Sequence, residues 1–140
     1  MKNLTMCVAA LLLIYILSYS LLAIFIRTKS SPLELRALTE NEEIEVYLLN
    51  KTIENGLSYR QFRLLKRIIW CESSFNPLAQ NTKSSDSGLF QINESSWDER
   101  AQELGLNYKN NWKHNIDMGL IVFKEQGIDA WKWSKSCWNK

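Results

Sequence analysis

Polarity divides the chain sharply near its start. From Leu4 to Ile26, twenty-three consecutive residues (LTMCVAALLLIYILSYSLLAIFI) carry no charge. As a helix rising ~1.5 Å per residue this run would span roughly 35 Å, enough to cross the ~30 Å hydrocarbon layer of a bilayer. It is longer than the ~7–15-residue apolar core of a cleavable signal. The pattern therefore predicts an uncleaved single-pass membrane anchor with its juxtamembrane linker over residues 1–30. A cut after Ser18-Tyr19-Ser20 is the alternative, and would release a secreted chain with the apolar stretch Leu21–Ile26 on its mature end.

Beyond the anchor the apolar positions recur with helical spacing. Thr39 and Glu42 stand three apart, as in a capping box, and open a predicted helix over about residues 41–55. Its inward face is read as Ile44, Tyr47, Leu48 and Ile53, with Gly56 as the stop. Ser58 and Gln61 repeat the capping pattern and begin a second helix, running to about Ser73. There Phe62, Leu65, Ile69 and Glu72 follow one another at three, four and three residues, which places a carboxylate on the apolar stripe. Asn76-Pro77 ends that helix. The Ser- and Asn-rich stretch to Gly88 reads as a loop or short irregular hairpin. A polar helix is expected over about residues 95–104, and another over about residues 115–126 with Ile116, Leu120 and Phe123 inward. The expected fold is mainly α, with a hairpin of the α+β kind behind the transmembrane helix. Residues 31–57 form an acidic helical lead-in and residues 58–140 the main domain.

Charge sharpens this division. Residues 34–54 hold six Glu against Arg36 and Lys51, whereas residues 60–140 hold twelve Lys/Arg against nine Asp/Glu. That mild basic bias suits an anionic polymer, but lacks the dense basic patch of a nucleic-acid binder. Lys2 before the anchor and Arg27 and Lys29 after it leave the positive-inside rule near balance, tilting slightly towards a cytoplasmic C-terminus. The cysteines point the other way. Cys7 lies in the apolar run, and Cys71 and Cys137 bracket the densest part of the chain. They are either two reduced core thiols or a disulfide, and the membrane segment favours the disulfide in an oxidising compartment. Such a bond would close a loop of about 65 residues and contribute roughly 4 kcal/mol on the chain-entropy account. No CxxC occurs and His114 has no ligand-spaced companion, so no metal or cofactor is implied.

Glu72 is the residue on which chemistry rests. Burial penalises its charge and the negative end of the helix dipole adds to that, so both raise its pKa, as a general acid near neutral pH requires. The bland alternative is an exposed Glu, or one paired with Lys66 or Arg67.

The surrounding residues favour the first reading. Glu72-Ser73-Ser74-Phe75-Asn76-Pro77-Leu78-Ala79, followed by Ser87-Gly88-Leu89-Phe90-Gln91-Ile92-Asn93, resembles the paired signature of the lysozyme-like superfamily, and above all the soluble-lytic-transglycosylase type of domain. Asn115-Ile116 and Trp131-x-Trp133-x-x-x-Cys137 look like the C-terminal pattern of small bacterial and phage members. The resemblance covers about residues 44–138. It implies a lysozyme-like fold that cleaves peptidoglycan glycan strands at the MurNAc-β-1,4-GlcNAc bond, with Glu72 as acid/base. It also places Ser73 beside that carboxylate, Gln91 and Asn93 on the sugar, Gly88 where backbone approaches the glycan and Phe90 under the cleft. The family's later Ala-Tyr-Asn motif, whose Tyr sits near the acid, is missing here, and a Trp-rich tail stands in its place.

Asp86, two residues before Gly88, also matches the second carboxylate of animal-type lysozymes. Retaining glycosidases need such a group at ~5 Å from the acid. Otherwise Asp86 shapes an Asx-turn, and the substrate's own N-acetyl group or 6-hydroxyl supplies the nucleophile, leaving an anhydro sugar. Of the six tryptophans, Trp97 and Trp131 are the candidates for stacking on sugar, and Trp70 is read as core. Two further classes compete: a glycan-binding module without catalysis, and an accessory factor of a secretion, conjugation or phage-entry machine that uses the acidic lead-in to bind a partner.

Overall fold

The structure, a computed structural model, describes residues 36–140. The apolar run from Leu4 to Ile26, Cys7 and the linker lie outside the described residues. Among those described, no helix is long and apolar enough to cross a membrane.

Both capping boxes form. In the first, the Thr39 hydroxyl accepts the Glu42 N–H at 3.4 Å and the Glu42 carboxylate accepts the Thr39 N–H at 2.9 Å, opening α1 (Glu40–Glu54). In the second, Ser58 and Gln61 exchange the same pair at 3.4 and 2.8 Å, opening α2 (Tyr59–Ser73). Each cap satisfies two N–H groups that a helix start leaves orphaned. α1 buries Ile44, Leu48 and Thr52, not Ile53, which is 64% exposed. Ile53 lies nine residues after Ile44, about 180° around the helix at ~100° per residue. Thr52, four residues after Leu48 and on the same face, points inward instead, and its buried hydroxyl is satisfied by donating to the Leu48 carbonyl at 2.6 Å.

α2 buries Phe62, Leu65, Ile68 and Ile69 against α1 and the C-terminal segments. Trp70, read from sequence as core, is 59% exposed. It lies about 100° around the helix from Ile69, and about 140° and 160° from Leu65 and Glu72, at ~100° per residue. The helix also ends earlier than Asn76-Pro77. Ser74 and Phe75 both adopt left-handed backbone, with φ of 53° and 62°. A bulky residue in that region costs on the order of 1–3 kcal/mol, offset here by burial of the Phe75 ring.

The polar stretch folds into a small antiparallel sheet of β1 (Gln80–Asn81), β2 (Asp86–Ser87) and β3 (Ile92–Asn93) in that order. Gln80 pairs with Ser87 and Asn81 with Asp86, and Asp86 in turn pairs with Asn93. α3 (Glu94–Glu103) and α4 (Trp112–Gln126) follow. α4 starts three residues ahead of the position read from sequence, because the Asn111 side chain accepts the N–H groups of Lys113 and His114. A 3-10 segment (Gly127–Ser134) and the short α5 (Lys135–Trp138) carry the tail back onto α2. Cys71 and Cys137 are joined in a disulfide, with Cα atoms 6.0 Å apart. The domain is thus mainly helical with one small sheet.

Gly88 is required by packing. Its φ is +75°, and a Cβ there would lie 2.2 Å from Nδ2 of Asn115. That fully buried amide accepts the Phe90 N–H at 2.9 Å and donates to the Ser87 and Tyr108 carbonyls. The glycine therefore makes room for Asn115. Gly119 on α4 does the same for Phe90, whose ring sits 2.2 Å from where a Cβ would be.

Candidate functional site

A cavity of about 360 Å³ opens between the end of α2, the sheet and the tail. Glu72, Asp86, Gln91 and Asn93 line it with Ser84, Ala130, Trp131 and Trp133. Glu72 enters from the penultimate residue of α2, on the same stripe as Leu65 and Ile69. Neither nearby cation pairs with it: Lys66 bonds Glu45 at 2.7 Å, and Arg67 donates to the Lys140 carbonyl at 2.8 Å. Its hydrogen-bond donor is Ser134, whose hydroxyl reaches Oε1 at 2.5 Å. Burial pushes the Glu72 carboxyl above its ordinary pKa. The Ser134 hydrogen bond pulls the other way, and the negative charge of Asp86 adds to the rise.

Asp86 stands in a strand, and its side chain makes no Asx-turn. Its Oδ2 accepts the Ser84 hydroxyl at 2.6 Å and its Oδ1 the Asn93 amide at 2.7 Å. The turn is shaped by Asn81, whose Oδ1 accepts the Lys83 N–H at 3.1 Å. Asn93 also donates to the Ser84 carbonyl at 2.6 Å, so Ser84, Asp86 and Asn93 form one polar wall. Gln91, at φ 47°, donates its amide N–H to the carbonyls of Gly88 and Ala79 at 2.9 and 3.2 Å. That fixes the orientation of the side chain in the cavity wall.

The sequence reading thus brings Glu72, Asp86, Gln91, Asn93 and Trp131 together. Three of its site residues are placed elsewhere. Ser73 donates its hydroxyl to the Ile69 carbonyl at 3.0 Å and does not line the cavity. Trp97 is buried in the hydrophobic core and does not line the cavity. Gly88 lies beneath the wall, packed on Asn115. Phe90 is fully buried behind Trp131, with its ring 5.4 Å from that of Trp131 and its carbonyl accepting the Trp131 indole N–H at 2.9 Å. Ser84, Trp133 and Ser134 escaped the sequence reading. The Trp-rich tail marked the region, but no periodic or motif signal singled out its serine.

A larger cleft of about 520 Å³ lies across α2, beside Tyr59, Arg63 and Trp70. Its one carboxylate, Glu45, is held by Lys66. The acid-bearing cavity is therefore the one suited to proton transfer.

The family model for the transglycosylase SLT domain matches residues 53–129, 77 of the chain's 140 residues. The chain belongs to the transglycosylase SLT family. Neither a curated protein nor a solved structure matches it. Membership assigns it, at family level, to lytic-transglycosylase-type cleavage of peptidoglycan, within the lysozyme-like superfamily. The matched span includes Glu72, Asp86, Gln91 and Asn93 but stops at Asp129. Trp131 and Trp133 of the cavity lining, Ser134 with its hydrogen bond to Glu72, and Cys137 therefore lie beyond it.

Proposed function

We propose that this chain is a lytic transglycosylase in which Glu72 serves in turn as general acid and general base. One observation carries the reading: a carboxyl on the apolar stripe of α2, half-buried at a polar cavity, unpaired with any cation among the described residues and raised in pKa by that burial. Protonated Glu72 donates to the glycosidic oxygen as the C1–O bond of N-acetylmuramic acid breaks, and N-acetylglucosamine leaves with a new hydroxyl. The substrate's N-acetyl group shields the oxocarbenium-like centre. Glu72, now anionic, takes the proton of the 6-hydroxyl as that oxygen closes on C1. The product is a 1,6-anhydro sugar and no water is consumed.

A hydrolytic reading remains as the second, because Asp86 lines the same cavity and its charge acts on Glu72. It is the weaker one. Each oxygen of Asp86 already accepts a hydrogen bond, from Ser84 or Asn93, which holds the carboxylate as part of the wall. A purely glycan-binding role is weaker still, since a binder gains nothing from a half-buried carboxylate. Mass spectrometry of muropeptides released by the full chain decides among the three. Anhydro products, one water lighter than reducing ends, support the proposal. Reducing ends would replace it with hydrolysis, and no release would leave the binding module.

The same proposal places the domain outside the cytoplasm, tethered through residues 4–26 or secreted after cleavage. The Cys71–Cys137 bond supports that placement, since disulfides persist in oxidising compartments. Service to a secretion, conjugation or phage-entry machine is compatible with catalysis. The acidity of α1 gives it limited support: Glu42 is spent on the capping box and Glu45 on Lys66.

A further inference from the structure

We propose that Ser134 is the positioning residue of the catalytic acid, holding Glu72 through a hydrogen bond whose direction reverses when the acid gains or loses its proton. The inference rests on the reading of Glu72 given above. It concerns a residue outside the span that the family model matches.

Ser134 Oγ lies 2.5 Å from Glu72 Oε1 and 3.1 Å from the Trp131 carbonyl. A hydroxyl has one proton to donate and two lone pairs. When Glu72 is anionic, that proton points at its carboxylate. When Glu72 is protonated and no substrate is bound, its own O–H donates to Ser134 Oγ and the serine proton turns to the Trp131 carbonyl. With substrate bound, the acid proton sits on Oε2 towards the glycosidic oxygen, and Oε1 again accepts from the serine. Each state is fully hydrogen-bonded, so a residue that must act first as acid and then as base keeps one orientation throughout.

The second acceptor is held firmly. The Trp131 carbonyl also accepts the Trp138 indole N–H at 3.0 Å, and the Trp131 indole is fixed on the Phe90 carbonyl at 2.9 Å. Trp131 interrupts the 3-10 run with φ −108° and ψ 31°. A covalent bond then closes the arrangement, since Cys71 precedes Glu72 and Cys137 follows Ser134 by three residues. The charged groups around Glu72 do not substitute for the serine. Asp86 faces it from β2 with like charge, and Glu45 of α1 is spent on Lys66. Lys132 and Lys135, which flank Ser134, are exposed, and the Lys132 ammonium sits 5.3 Å above the Trp133 ring.

The test compares Ser134→Ala, Ser134→Thr and Ser134→Val in the full chain. Thr and Val share a shape and differ in the hydroxyl, which separates its loss from any packing defect. Two readouts are needed: the titration midpoint of the Glu72 side-chain carboxyl by 13C NMR, and the pH dependence of kcat and KM. Without the hydroxyl the anion loses a charge-assisted donor, a larger loss than the neutral partner that the acid gives up. Ala and Val should therefore raise the midpoint, and the alkaline limb of activity with it, by about one unit. They should lower kcat about tenfold with KM within about twofold, while Thr stays near wild type in both. Val behaving as Thr, or an unmoved midpoint in Ala and Val, overturns the proposal even if Glu72→Gln is inactive. A shifted midpoint together with an active Glu72→Gln variant overturns it through the acid assignment instead.

Discussion

The side-chain amide of Asn115 occupies the space that a Cβ on Gly88 would need, 2.2 Å away. The two residues join α4 to the loop between β2 and β3, and so set the height of Gln91 in the cavity wall. Gly88→Ala should cost about 3 kcal/mol, from the positive φ and the clash together. It should abolish activity through misplacement of the wall rather than through lost contact with glycan. Chemical denaturation followed by circular dichroism checks this. A variant of wild-type stability with weakened substrate binding would restore the glycan-contact role to Gly88.

Much of this arrangement was legible in the sequence, and the exceptions have physical reasons. The two capping boxes and the stripe through Leu65, Ile69 and Glu72 are local signals that hydrogen bonding and helical period enforce, whereas the Glu-Ser and Gly-Leu-Phe-Gln-Ile motifs are legible through their resemblance to a family. Ile53 and Trp70 depart from the reading because their angular positions on α1 and α2 turn them to solvent, whatever their hydrophobicity or, for Trp70, its neighbour Cys71. Ser73 was misassigned because a serine beside an acid in sequence can still satisfy its hydroxyl on its own helix. Ser134 was invisible because its partner lies 62 residues away and the tail reaches it only after folding. Asn115 had a motif but no mechanism until its three hydrogen bonds were seen.

The Cys71–Cys137 bond should act on stability and on catalysis together. Replacing both cysteines with serine should cost about 2–4 kcal/mol, as expected for a loop of this length. Under conditions where that variant is still folded, activity should fall as it does in Ser134→Ala, because the tail is no longer pinned beside Glu72. On denatured, non-reduced wild-type protein, a thiol-reactive label should find Cys7 alone. Labelling of two further thiols would make the pair reduced cysteines and revive a cytoplasmic orientation.

Glu72→Gln keeps the shape and removes the transferable proton, so glycan release should fall by at least ~100-fold. Stability should move in the opposite sense. The folded pKa of Glu72 is raised, so its contribution is fully present below the ordinary carboxylate range and is lost as pH rises through the folded value. Glu72→Gln should therefore raise Tm near neutral pH and make little difference in acid. An equal shift at both pH values would mean that the carboxyl is not held in its raised state by the fold.

Asp86 tests the reaction type through the same carboxyl. Its negative charge raises the Glu72 pKa, so Asp86→Asn should move the alkaline limb of activity to lower pH. In a transglycosylase most activity at the optimum should survive, within about tenfold, since the nucleophile belongs to the substrate. In a hydrolase the loss should be ~100-fold or more, because charge stabilisation of an oxocarbenium-like state is removed. Reducing-end products from wild type together with an inactive Asp86→Asn variant would decide for hydrolysis.

Three tryptophans should separate into three behaviours, because burial assigns each a different task. Trp133 is 90% exposed and lines the cavity. An indole held in water beside a polar cleft offers a flat apolar face to the C–H side of a pyranose, and little else in the fold depends on it. Trp133→Ala should raise KM about tenfold with kcat nearly unchanged, the sign of binding shared by ground and transition states. Its effect on stability should stay within about 0.5 kcal/mol. Trp97 is buried in the core, so its truncation should cost about 3–5 kcal/mol and leave KM alone in whatever protein remains folded. Trp131 does both jobs, since it lines the cavity and its indole holds the Phe90 carbonyl. Its loss should lower stability and kcat together. Steady-state kinetics on soluble glycan fragments, with thermal denaturation of each variant, reads all three at once. A Trp133→Ala variant with wild-type KM would show that the sugar is gripped by the polar wall of Gln91 and Asn93 alone.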